Sequence, residues 1–175
     1  GTWTHTNVTM PWVSGNLYQK TITVLSNNTQ ILYYIISAKD AKPNWVNTGT
    51  KNVGNVVDND APVITDGTSG TPTTGDPFTF SATVTDNIAV STVYVEYWYG
   101  SWTHTNVTMP FISGNLYQKT ITVLSNNTQI LYYIISAKDA KPNWANTGTK
   151  NVGNVVDNDA PSITDGTTGP ATTGA

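Results

Sequence analysis

The chain has 175 residues, 38% hydrophobic and only 11% charged, with a net charge of −3 and no cysteine. That balance excludes a disulfide framework and a thiolate metal site, and its eight cations, all lysines, leave no basic footprint for nucleic acid. No apolar run approaches the roughly 18 residues of a membrane span and no secretory signal opens the stretch, so any export signal is expected outside it.

The elements are best taken within a repeat, because a period redefines the folding unit. Residues 1–76 align with residues 100–175 at a spacing of 99, with nine differences. Among these, Trp12/Phe111, Val13/Ile112 and Val46/Ala145 keep apolar character. A unit of this size can bury its own core, though with a high surface-to-volume ratio. On this reading residues 1–58 are the C-terminal part of one repeat, 59–157 a complete repeat and 158–175 the start of the next. The joint is Val56-Val57-Asp58-Asn59-Asp60-Ala61-Pro62, repeated from Val155.

In chain order, strands are predicted over residues 3–10, 17–25, 30–39 and about 49–57, separated by Ser14-Gly15-Asn16 and Ser26-Asn27-Asn28. Beyond the joint a short strand covers 63–66. Phe78, Phe80, Ala82 and Val84 then alternate with Thr79, Ser81, Thr83 and Thr85, the period-2 pattern of a half-buried strand. In the next strand, 91–99, Val93, Val95 and Tyr97 share one face, while Tyr94, Glu96 and Trp98 share the other. Strands over 102–109, 116–124, 129–138 and 148–156 copy those of the first segment. No stretch sustains a 3.6-residue period, so no helix is predicted. Seven strands with turns every 8 to 12 residues indicate an all-β fold of tandem seven-stranded β-sandwiches of immunoglobulin type.

The motifs Ala61-Pro62-x-Ile64, Thr74-Gly75-Asp76-x-Phe78-x-Phe80, Val84-Thr85-Asp86-Asn87-x-x-Val90 and Tyr133-x-Ile135-x-Ala137-x-Asp139-x-x-x-Asn143 follow one another in the repeat. In that order they resemble the immunoglobulin-like and fibronectin type III-like repeats of prokaryotic cell-surface proteins, archaeal ones included. Lys141-Pro142 departs from the Gly-rich turn such repeats often carry there. The resemblance implies a stalk or wall module rather than a catalyst.

In a sandwich of that type Asp58 and Asp60 from the joint, Asp86 and Asn87 from one loop, and Asp139 and Asn143 from another gather at one end. Such hard oxygen donors suit Ca²⁺, which takes six to eight oxygens; the same residues also suit turns and edge protection. The joint is similar to the calcium-binding linkers of cadherins, without the Glu ligands of that family. Asn7, Asn27, Asn106 and Asn126 each stand two residues before a threonine, as a glycan acceptor requires. Trp98, Trp102 and Trp144 are candidates for sugar stacking or for lateral contacts, against plain packing. His5 and His104 are copies of each other with no catalytic motif around them, so no enzyme is expected. The function implied is a structural module of an extracellular surface array, a filament, sheath, surface layer or stalk. Its partners are then copies of itself and, in places, surface glycans. The alternative is an adhesin or carbohydrate-binding repeat of a secreted protein.

Overall fold

The computed structural model describes residues 5–169 and 171. Residues 1–4, with Trp3 and the start of the predicted 3–10 strand, lie outside the described residues, as do 170 and 172–175 at the end of the predicted 158–175 segment. The fold is all-β: the described residues form fifteen strands in antiparallel sheets, and no helix is long and apolar enough to cross a membrane. Two compact units divide the chain, Gly1–Asn59 and Asp60–Ala175.

The first unit holds β1 (Trp12–Ser14), β2 (Leu17–Tyr18), β3 (Ile31–Tyr34), β4 (Ser37–Lys39), β5 (Trp45–Asn47) and β6 (Lys51–Asn55). They pair only as three two-stranded sheets, β1-β2, β3-β6 and β4-β5. Two-stranded pairs bury too little to hold a core, and Ile22, Val24, Tyr34 and Ile36 are all exposed. Residues 5–10, within the predicted first strand, carry no regular structure, and the predicted 17–25 strand is reduced to β2.

The second unit contains β7 (Val63–Asp66), β8 (Pro77–Thr85), β9 (Val90–Tyr99), β10 (Thr105–Thr108), β11 (Phe111–Ser113), β12 (Leu116–Thr122), β13 (Ile130–Asp139), β14 (Trp144–Asn146) and β15 (Lys150–Asn154). One sheet runs β10-β9-β13-β14, with β15 also on β13; the other runs β11-β12-β8-β7. The hydroxylated side chains of β8 face outward, while Phe78, Phe80, Ala82 and Val84 face the core. Val93 and Val95 of β9 and Leu131, Tyr133, Ile135 and Ala137 of β13 close it from the opposite sheet. Phe80 sits centrally, its ring 5.2 Å from Tyr133 and 5.6 Å from Tyr97. Two strands had no counterpart in the sequence pattern, β11 and β14, because three residues are too few to display an alternation. β11 is set by a hairpin in which Gly114 takes φ 56°, a left-handed conformation that glycine adopts without strain.

The sheets are also tied by a polar contact. Tyr133 of β13 donates its hydroxyl to Asp66 Oδ2 of β7 at 2.7 Å. Burial first, then this hydrogen bond and the Asp66 charge, push the Tyr133 pKa up to about 12. The folded state therefore holds the phenolic proton more tightly than the unfolded chain, whose tyrosines titrate near ~10. That contribution is fully present below pH ~10 and is lost as pH rises toward the folded value. Tyr133→Phe is expected to cost about 1–2 kcal/mol at neutral pH and to flatten the alkaline loss of stability. Burial raises Tyr99 in the same sense, so some slope should remain. Melting curves of both proteins at pH 7 and pH 11 check this, and an unchanged gap at the two pH values would contradict it.

Candidate functional site

The end of the second unit where Asp60 lies is built by two strand ends. β13 finishes at Asp139 opposite Val90, the first residue of β9, across a register shift. The loop that joins β8 to β9 begins with Asp86 and Asn87, and Ala140 N donates to Ala89 O at 3.2 Å, so the two loops are stitched together. Asp86 and Asp139 thereby place carboxylate oxygens within 4.8 Å of each other. Asn87 Nδ2 donates to Asp60 Oδ2 at 3.1 Å, and Asn143 Nδ2 lies 3.3 Å from the Asp60 carbonyl oxygen. Five of the six predicted ligands, Asp60, Asp86, Asn87, Asp139 and Asn143, are thus gathered within one unit. Asp58 falls in the first unit.

The two central carboxylates differ in how they are satisfied. Asp139, 1% exposed, accepts from Lys141 N at 2.7 Å and Asn143 N at 2.8 Å through Oδ1, and from Asn143 Nδ2 at 2.6 Å through Oδ2. Its copy Asp40 accepts from Lys42 N, Asn44 N and Asn44 Nδ2 in the same pattern, on a unit whose described hydrophobic residues are not buried. These bonds are therefore local turn chemistry of the Asp-Ala-Lys-Pro-Asn run, and they hold Asp40 below the usual carboxylate range, chiefly through the Asn44 side chain. Asp86 is satisfied on one side only. Its Oδ1 accepts from Ile88 N and Ala89 N at 2.9 and 2.8 Å, while Oδ2 is buried with no hydrogen-bond partner. An unsatisfied carboxylate oxygen close to a second carboxylate is costly unless a proton or a cation joins them.

At the opposite end of β8 a second polar group forms around the outgoing chain. Thr74, 2% exposed, sets its hydroxyl 3.2 Å from Asp157 Oδ1, 3.4 Å from Asn158 Oδ1 and 3.0 Å from Asp159 Oδ2. A hydroxyl carries one proton, so at most one of these acceptors receives it fully. Asn158 Nδ2 donates to Asp76 Oδ2 at 2.8 Å, and Thr73 Oγ1 donates to the same oxygen at 2.7 Å. Those two bonds, Thr73 first, lower the Asp76 pKa. Thr74 and Asp76 are absent from the sequence-derived ligand set. Their partners lie more than 80 residues away; the available signal was the repeat itself, since Asp157-Asn158-Asp159 copies Asp58-Asn59-Asp60.

The aromatic candidates separate. Trp98, on the outer face of β9, is covered: His104 stacks on it at 3.9 Å and Tyr132 at 5.7 Å, leaving it 9% exposed. His104 Nδ1 is held 2.6 Å from Glu96 Oε1. Trp102 and Trp144 are exposed, and Trp144 is braced by Tyr94, 6.0 Å between ring centroids, and by Lys138 Nζ at 5.6 Å. Asn7, Asn27, Asn106 and Asn126 are all exposed, whereas the neighbouring Asn127 is buried and caps its turn through Gln129 N.

No family model matches the chain, and no curated protein matches it significantly.

Proposed function

We propose that the chain is a structural module of an extracellular surface array, a filament, sheath, surface layer or stalk, made of immunoglobulin-like or fibronectin type III-like repeats of the prokaryotic, including archaeal, cell-surface kind. The observation that carries this reading is how the second unit holds its chain. Incoming Asp60 is fastened by Asn87 and Asn143 beyond one end of β8, and outgoing Asp157 to Asp159 are fastened by Thr74 and Asp76 beyond the other. A nine-residue strand separates the two fastenings by ~30 Å. A bead gripped at both ends and repeated in line carries load along the chain, and its work is mechanical rather than catalytic.

The donors at the Asp60 end are all hard oxygens, and the buried Asp86 Oδ2 has room in its bonding for a cation. This fits Ca²⁺, with Asp86 and Asp139 as the central ligands and Asp60, Asn87 and Asn143 around them. Bound there, the ion would fix the loops that grip the incoming chain. The exposed Asn7, Asn27, Asn106 and Asn126 are then positions for surface glycans.

Electron microscopy of the native material tests both parts. Beaded fibres with one bead per 99 residues are expected, straight in Ca²⁺ and more strongly bent after chelation. Discrete unconnected particles would overturn the array reading, and bending unaffected by chelator would overturn the calcium site. An adhesin repeat is the second reading, favoured by the exposed and braced ring of Trp144. It predicts glycan binding that is lost in Trp144→Ala.

A further inference from the structure

The acidic loops lie at the start of β9; its other end borders a cleft of about 170 Å³. β9 finishes at Tyr99 and the chain turns at once. Gly100 takes φ 54°, its N donates to Ile130 O at 2.9 Å, and Trp102 N donates to Tyr99 O at 2.9 Å. This closed turn sets Trp102, 49% exposed, in the lining of the cleft. Another part of the lining is the end of β12, Thr122 with the nearby Leu124. Leu124 N donates to the Tyr99 hydroxyl at 3.3 Å, which pins that strand end to β9. Thr103 and Thr105, on the way into β10, also line the cleft.

That lining has a definite chemistry. Among the described residues that form it none is charged: aromatic rings and a leucine supply the apolar part, and three threonines supply hydroxyls. An ionic ligand would lose water there and gain no counter-charge, and a wholly apolar one would strip water from the hydroxyls without replacing it. The fitting ligand is uncharged, with one C–H face and a rim of hydroxyls, and a neutral pyranose has that form. The volume lies below the ~300 Å³ at which drug-sized sites begin, so it admits one ring rather than a buried chain. We propose that this cleft binds a single neutral pyranose, its C–H face laid on the Trp102 ring and its hydroxyls bonded by Thr103, Thr105 and Thr122. Because the turn beneath Trp102 is already closed by main-chain bonds, binding orders little that is not ordered before. The site is separate from Trp144, which stacks on Tyr94, ~16 Å back along β9. It rests on the fold of the second unit, and on neither the array reading nor the calcium site.

The test uses the full chain made without glycosylation and follows its amide and indole resonances by NMR as methyl glycosides of glucose, mannose and N-acetylglucosamine are added. At least one should shift the Trp102 indole N–H, assigned through Trp102→Phe, and the amides of residues 122–124. The shifts should saturate with Kd on the order of millimolar, as about a dozen heavy atoms allow. A methyl glucuronide, which carries a carboxylate, should bind at least tenfold more weakly than the matching glucoside. Trp102→Ala should stay folded, since the ring is half-exposed and the turn is held by main-chain bonds, and should lose at least tenfold in affinity. Trp144→Ala should bind as the wild type does. The ring can come from a separate saccharide or from a glycan on Asn126, two residues beyond Leu124. In glycosylated protein, full affinity for added glycoside assigns the separate source, whereas a cleft already filled and freed by Asn126→Gln assigns the attached one. Four results would overturn the proposal: no glycoside that shifts these resonances, undiminished binding by Trp102→Ala, a glucuronide that binds as tightly as the glucoside, or shifts abolished by Trp144→Ala.

Discussion

Ile135→Ala is expected to destabilise the second unit by about 2–5 kcal/mol, whereas Ile36→Ala, the same change in the same local sequence, should cost under about 1 kcal/mol. The difference comes only from what lies above the side chain. Ile135 is fully buried in the core closed by β8 and β9, so truncation removes contacts and leaves a cavity. Ile36 stands on an exposed face, where water takes the place of the lost methyl groups. Because the segments 30–39 and 129–138 are identical in sequence, propensity and local turn chemistry cancel in the comparison. Denaturant unfolding, with exchange rates to assign each transition to its unit, gives both numbers. For a unit of this size each kcal/mol shifts the melting temperature by roughly 4–8 °C, so the pair should differ by about 4 °C or more. Equal losses would mean that the first unit has a core of its own.

The same contrast shows what the sequence could reveal and what it could not. Alternation along Phe78 to Val84 announced both the strand and its buried face, and the burial of β13 follows the same two-residue rhythm from Ile130 to Asp139. The first copy carries the rhythm of β13 unchanged, yet forms β3 and β4 with a break at Ile35 and Ile36. Period 2 signals a capacity for pairing; whether a strand forms depends on a neighbour along its edge. Trp98 shows the converse limit. Alternation sets it with Tyr94 and Glu96 on the face opposite Val93 and Val95, but its cover comes from His104 and Tyr132, and a pattern within one strand cannot register a ring stacked from the next. At the candidate site the gathering of Asp86, Asn87, Asp139 and Asn143 was expected from the loop layout of an immunoglobulin-type sandwich. The uneven satisfaction of Asp86 required atomic positions, because the backbone donors to Oδ1 are fixed by a loop of four residues with no distinctive composition.

Asp139→Ala is the second large effect: a loss of about 2–4 kcal/mol is expected, against under about 1 kcal/mol for Asp40→Ala. Both carboxylates organise the same turn with the same donors. At Asp40 the freed amides meet solvent. At Asp139, 1% exposed, they are left partly buried beside the Asp86 carboxylate, and the turn that brings Trp144 back along Lys138 loses its anchor. The Trp144 ring should then leave Tyr94, a change visible in its fluorescence. Asp139→Asn separates the turn from the cation. It keeps an acceptor for Lys141 N and Asn143 N, loses the bond from Asn143 Nδ2, and removes the negative charge facing Asp86. In chelator it should therefore cost less than half of Asp139→Ala. In Ca²⁺ the wild type should gain stability and Asp139→Asn should not, because one central ligand has lost its charge. If Ca²⁺ stabilises both proteins equally, the ion binds elsewhere and Asp139 is a turn residue alone; if Asp139→Ala costs no more than Asp40→Ala, the buried end of β13 is not under the constraint its hydrogen bonds imply.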